Sequence, residues 1–383
     1  MFFNRFFCMS LFTSTLLKSS IIAKASVYKI YTDSYMSIKL SIGSPRQSFD
    51  AIIDFATVPI LVSSEACGIR RSDCPRYCLN EVFSRLYCIP LCQPIASILR
   101  HAYCTTPFIS SNSTSYVPSD DPWSEMLQCC RNKFYGHFAK ETMRIGKDSA
   151  TVPAFELEYV EAMLIQINGM VGYMAIVGVG LSDWTGRVGF VQQLKKRGEI
   201  PEAILTFNSL KETMTVGELD QQFCNSWNHF PVVEKETTWT FTVEKLQVYG
   251  VEFRNQRVTF GKYDLDLLIP QEALKVLIEK GVVLSGCVYF ATDICVDIAA
   301  NSTIRLSNKD QEVEIPIDAI KDDKYTCRRT AENRTFCDSY ARVSQYSVGY
   351  NSDPWAFSYL QFYRKCFAFD YDKRVVWIGN HIK

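Results

Sequence analysis

The stretch that most narrows the choice of folds is Gln47-Ser48-Phe49-Asp50-Ala51-Ile52-Ile53-Asp54-Phe55-Ala56-Thr57-Val58-Pro59-Ile60-Leu61-Val62. Asp54 ends one apolar run, and a second apolar run follows closely. A carboxylate at the end of a buried strand is costly unless it is hydrogen-bonded or has chemistry to perform. The simplest account is a turn residue, so the surrounding chain has to decide.

At 383 residues the chain can bury one large core or form two lobes of ordinary size. The 41 basic and 41 acidic residues cancel. No basic stripe stands out, so nucleic acid is not an expected partner. Short Val/Ile/Phe/Tyr/Thr runs broken by Gly, Pro, Asn and Asp point to a mainly β protein.

Residues 1–25 read as a secretory signal. Asn4 and Arg5 give a polar, basic start, residues 6–17 are mostly apolar, and Ala23-Lys24-Ala25 offers a small-x-small cleavage site. No later stretch reaches the ~18 uninterrupted apolar residues of a spanning helix, so membrane insertion is not expected. Of fifteen cysteines, Cys8 lies in the leader, which leaves fourteen. An even, large number behind a signal peptide reads as disulfides formed in an oxidising compartment, with the protein secreted or held in the secretory lumen. Asn112, Asn301 and Asn333 are N-x-[ST] glycosylation acceptors in polar stretches.

In chain order, residues 27–42 alternate apolar and polar side chains and read as a strand pair. Gly43-Ser44-Pro45 makes a turn, and a strand over residues 48–53 leads to Asp54. Residues 67–104 form a Cys-rich insert containing Cys67, Cys74, Cys78, Cys88 and Cys92. Within it, Cys74-x3-Cys78-x9-Cys88-x3-Cys92 puts each pair of thiols on one face of a helix. Cys74–Cys92 with Cys78–Cys88 is one possible stapling, and a four-thiolate zinc site is the rival. Residues 111–121 read as polar loop, 134–145 as strand and 174–180 as a buried strand ending in glycine. Phe190, Val191 and Leu194 lie at helical spacing over residues 190–196. Pro270 opens a second helix over residues 270–278.

These landmarks together resemble the pepsin-like family of aspartic peptidases. Ile42-Gly43-Ser44-Pro45-Arg46-Gln47-Ser48-Phe49 is similar to the family's "IGTPPQ-x-F" turn, and Asp54-Phe55-Ala56-Thr57 stands where the first "DTGS" belongs. Ile176-Val177-Gly178-Val179-Gly180 is similar to "GILGLG". Gly217-Glu218-Leu219-Asp220 with Cys224 resembles "GGID…C", Trp239-Thr240-Phe241 resembles "YWxF", and Trp355-Ala356-Phe357-Ser358 falls at "WILG". The resemblance runs from about Tyr28 to Gly379 and implies a bilobal fold: two pseudo-twofold-related β lobes with a substrate cleft between them. The expected division is residues 26–205 for the N-terminal lobe and 206–383 for the C-terminal lobe.

The family's reaction needs two carboxylates that share one proton across a water. Two like charges a few ångströms apart cannot both ionise. Asp54 fills the first position, but Phe55 brings no hydroxyl and Ala56 adds a Cβ where glycine is expected. Counting back from Pro270 along "DTGTSLLxxP" puts Gly261 at the second catalytic position, followed by Lys262 and Tyr263. Asp264 and Asp266 lie close by, yet using Asp264 would shift the strand by three residues and turn every side chain to the other face. The flap position falls at Cys129, and the family's pairing implies a Cys287–Cys327 disulfide. No basic pro-segment precedes the first strand. His101, His137, His229 and His381 show no metal-like spacing, and no cofactor or metal is expected. The resulting expectation is a catalytically inactive, divergent member lacking the second catalytic Asp, a monomer that binds a peptide, protein or small ligand. A divergent active endopeptidase working at acidic pH and a structural scaffold are the alternatives.

Overall fold

The computed structural model describes residues 25–31, 36–64, 107–126, 133–146, 154–166, 175–182, 186–248, 250–260, 267–280, 283–289, 293–299, 303–309, 311–316, 327–329, 335–343, 354–357, 362 and 365–382. The first half contains β1 (Ser26–Lys29), β2 (Ser37–Ile42), β3 (Gln47–Asp54), β4 (Ile60–Ser63), β5 (Val117–Met126), β6 (Lys133–Ile145), β7 (Phe155–Gln166), β8 (Ala175–Gly178) and helix α1 (Phe190–Lys196). Next come β9 (Ile204–Asn208), β10 (Thr213–Val216), β11 (Cys224–Pro231), β12 (Phe241–Val248), β13 (Val251–Phe260), β14 (Leu267–Ile269) and α2 (Gln271–Glu279). The chain continues through β15 (Val283–Tyr289), β16 (Asp293–Ala299), β17 (Thr303–Asn308), β18 (Gln311–Pro316), β19 (Cys327–Arg329) and β20 (Thr335–Val343). It closes with β21 (Trp355–Phe357), β22 (Lys365–Asp370) and β23 (Val375–His381).

Among the described residues the strands form three sheets. A seven-stranded sheet in the order β2-β3-β8-β4-β7-β6-β5 belongs to the first half, and a further β2–β6 pairing curls it on itself. A ten-stranded sheet runs β15-β16-β20-β14-β21-β13-β12-β17-β18, with β19 beside β20. A six-stranded sheet, β1-β10-β9-β22-β23-β11, draws on both ends of the chain. The expected lobe boundary between residues 205 and 206 therefore falls inside β9, a strand of this shared sheet. No helix among the described residues is long and apolar enough to cross a membrane.

Burial follows sequence pattern. In β3, Phe49 faces inward and Asp50 outward, and then residues 51–54 are all buried. The near-continuous apolar run fits a strand covered on both faces, and β3 pairs in parallel with the fully buried β8. Helix α1 spans the residues expected of it and buries Phe190, Val191 and Leu194. The Gly189 N–H before it donates to the Gln192 side chain at 3.0 Å, and Lys195 and Lys196 complement the dipole in its last turn.

Two local expectations are corrected. Residues 27–42 do form two strands, but they are not a pair. β1 pairs β10, whereas β2 pairs β3 and β6, and only a single Tyr31–Ser37 bridge links the neighbourhood of the two. Alternation sets a strand's faces but not its partner. The polar stretch 111–121 is also not all loop: after a short 3-10 turn over Ser110–Asn112, β5 begins at Val117 and is held to β6.

Candidate active-site region around Asp54

Asp54 closes β3 and is fully buried. Its carboxylate is turned into its own loop. Oδ1 accepts from the Ala56 N–H at 3.2 Å, and Oδ2 accepts from the Thr57 N–H at 3.3 Å and from the Thr57 hydroxyl. These charge-assisted bonds make burial of the carboxylate affordable. The Asp54 carbonyl accepts from the Val179 N–H and the Thr57 carbonyl from the Gly180 N–H, both at 2.8 Å. The close approach requires glycine. A Cβ on Gly178 would lie 2.4 Å from the Pro59 oxygen and 2.5 Å from the Thr57 oxygen, and one on Gly180 would lie 2.6 Å from the Ala56 oxygen.

Phe55 points away from polar chemistry. Its ring lies 5.5–5.8 Å, centroid to centroid, from Phe207, Phe260, Phe367 and Phe369, so it joins β9, β13 and β22. The Trp239 indole N–H and the Tyr371 hydroxyl both donate to the Val179 carbonyl at 2.8 Å. Burial pushes the Tyr371 phenol well above its ordinary pKa, so it stays a donor.

The chain repeats this arrangement. In the first half, Ile176 of β8 pairs in parallel with Ile52 and antiparallel with Leu61. In the second, Ala356 of β21 pairs in parallel with Thr259 and antiparallel with Leu268. The separations match, since 61 − 52 and 268 − 259 are both 9. Each half thus carries the same crossed-loop unit in its strand pairing, residues 261–266 between β13 and β14 lying outside the described residues.

A family model, that of the eukaryotic aspartyl protease, matches residues 34–263, more than half of the chain. The chain belongs to the eukaryotic aspartyl protease family. No curated protein matches it. The match spans the first crossed-loop unit, the shared sheet's β9–β11 and the strand that opens the second unit.

Of the residues singled out in this aspartyl protease homologue, Asp54 stands at the heart of the first unit, and Asn112 is exposed at the end of its 3-10 turn. Gly261, Asp264, Asp266, Cys129, the insert cysteines Cys67, Cys74, Cys78, Cys88 and Cys92, and Asn301 and Asn333 lie outside the described residues. In the backbone register, Cys287 of β15 stands opposite Cys295 and Cys327 of β19 opposite Cys337, and the side chains of these cysteines lie outside the described residues.

A pairing that spacing did not reveal joins Cys224 to Cys366, with Cα atoms 6.1 Å apart. The even cysteine count announced disulfides but could not choose this pair. His381 Nδ1 lies 3.4 Å from the Cys366 sulfur. The two sulfurs and this ring are the one metal-like cluster among the described residues, and the disulfide leaves them no thiolate to offer.

Proposed function

We propose that this aspartyl protease homologue is a secreted protein that has lost peptide hydrolysis and binds a peptide, protein or small ligand. The cleft between its lobes is the favoured site, and the Cys-rich insert of residues 67–104 is the other. The matched spacing of the two crossed-loop units carries this reading. Asp54 lies two residues beyond Ile52, and two residues beyond Thr259 is Gly261. Glycine has no group to hold the shared proton, so the reaction lacks its second acid. Equal spacing also leaves no extra residues to bring Asp264 or Asp266 forward. Losing one member of a catalytic pair lowers rates by on the order of 10⁴-fold or more.

Phe55 supports the same reading, since its place in the aromatic cluster commits the loop beside Asp54 to packing. The test is incubation of the purified protein with an unfolded protein substrate at acidic pH, with and without a statine-type inhibitor. The expected result is no inhibitor-sensitive cleavage. Inhibitor-sensitive cleavage that Asp54→Asn abolishes would overturn the proposal.

A further inference from the structure

One face of the six-stranded sheet carries a sulfur–imidazole cluster that the aspartyl protease reading does not use. In β22 and β23, Phe367, Phe369, Val376 and Ile378 point into the hydrophobic core. The alternate positions put Cys366 and His381 on the other face. Cys224 opens β11 and His381 ends β23, and the register sets the two opposite each other. Cys366 stands opposite Gly379, two residues from His381 on the same face. The Cys224 and Cys366 sulfurs and His381 Nδ1 all lie within 4.8 Å of one another, with Nδ1 3.4 Å from the Cys366 sulfur.

Both sulfurs are buried, and the ring is half-buried. Asn208 of β9 is buried opposite Cys366, and its side-chain amide donates to the Cys224 sulfur at 3.6 Å. An N–H aimed at sulfur favours negative charge there. In the oxidised state these atoms offer no thiolate, but their separations suit a metal once the bridge is open. Zn–S bonds of about 2.3 Å and Zn–N bonds of about 2.0 Å put sulfur and nitrogen ligands about 3.6 Å apart in a tetrahedron, and two sulfurs about 3.8 Å apart. The sulfur–Nδ1 distance of 3.4 Å is already close to this. Cα atoms 6.1 Å apart let the freed sulfurs part by side-chain rotation.

We propose that, once the Cys224–Cys366 bond is reduced, the two thiolates and His381 Nδ1 bind a borderline-soft divalent cation, Zn²⁺. The reductant is a dithiol. One of its thiolates attacks a sulfur of the bridge, and its second thiol then resolves the mixed disulfide. Two electrons and two protons pass to Cys224 and Cys366, and the dithiol leaves as a disulfide. Zn²⁺ displaces the two thiol protons to solvent, and the two thiolates balance its charge. Water reaching the half-buried His381 side completes the tetrahedron. Sulfur and imidazole ligands select zinc over hard cations. The tie between β11 and β22 thus survives in both states, as a covalent bond in an oxidising compartment and as a metal bridge in a reducing one. The site lies in a different sheet from Asp54, so its test does not depend on the loss of hydrolysis.

The experiment reduces the intact protein with dithiothreitol, removes the reductant without air and titrates Co²⁺, with Zn²⁺ as competitor. The thiolate-to-Co²⁺ charge-transfer band and the tetrahedral visible bands report binding. The other cysteines are reduced as well, so the reading is the difference between the parent and its variants. His381→Gln keeps every cysteine in place. It should weaken one tetrahedral Co²⁺ equivalent by more than the roughly 10-fold that an outer partner is worth. Cys224→Ser and Cys366→Ser should lose that equivalent, and His229→Gln should keep it. Zn²⁺ should displace it, and the unreduced protein should lack it. The reduced parent should melt higher in Zn²⁺ than in EDTA, a difference that His381→Gln loses. Equal Co²⁺ stoichiometry and affinity in the parent and whichever of the three ligand variants fold would overturn the proposal. A reduced parent whose Tm ignores Zn²⁺, or the same equivalent in the unreduced protein, would overturn it as well.

Discussion

At the scale of single residues, Asp54 and Phe55 show neighbouring side chains committed to different tasks. Asp54 satisfies its carboxylate with two backbone N–H groups and a hydroxyl from Ala56 and Thr57. Asp54→Asn replaces an acceptor oxygen with a donor NH₂ that faces other donors. We expect a loss of about 1–3 kcal/mol of stability, read as a lower urea midpoint with unchanged slope. Phe55→Ala empties the centre of the aromatic cluster and should cost about 3–5 kcal/mol. Neither change should create or abolish hydrolysis. The departure from glycine at Ala56 and from a hydroxyl at Phe55 was visible in the sequence, but the four rings that receive Phe55 come from positions 207, 260, 367 and 369. No local pattern could have gathered them.

At the scale of elements, the Asp54 loop depends on β8 as much as on its own residues. Gly178 and Gly180 allow three carbonyl oxygens to press against the strand end. Gly178→Ala places a methyl group against backbone oxygens that cannot rotate away. It should destabilise the fold by at least about 1–3 kcal/mol, the usual range for overpacking, and should raise amide exchange at Val179 and Gly180. Periodicity located β3, β6, β8 and α1 well, because a buried strand or a one-sided helix writes its burial into neighbouring positions. It misjudged residues 27–42 because β1 and β2 each alternate correctly while belonging to different sheets. It also passed over the carboxylates of β6 and β7, since Glu141 and Glu161 come to share one buried face only when the ribbon pairs.

At the scale of the whole molecule, the six-stranded sheet gathers the beginning, middle and end of the chain. The Cys224–Cys366 disulfide fastens it across a separation of 142 residues. Closing so long a loop restricts the unfolded chain strongly. The Cys224→Ser, Cys366→Ser double variant should lose about 2–4 kcal/mol while keeping its β-sheet circular dichroism, and peptide mapping of the unreduced protein should recover the linked pair. A variant as stable as the parent would show that the sheet needs no such fastening. Trp239 and Tyr371 add a second tie, because both donate to Val179 from the far half of the chain.

The sequence by itself determined the class of fold, the family it belongs to and the place of a buried-strand carboxylate at Asp54. Those features rest on nearest-neighbour rules: alternation with period two, turn chemistry and the spacing of short motifs. The tertiary structure decided that β1 leaves β2 for the shared sheet, that Cys224 finds Cys366, that Phe55 enters a five-ring cluster and that two glutamates share a buried face. Those outcomes depend on which distant strands pair and in what register, and a one-residue change of register would turn each of these side chains to the opposite face.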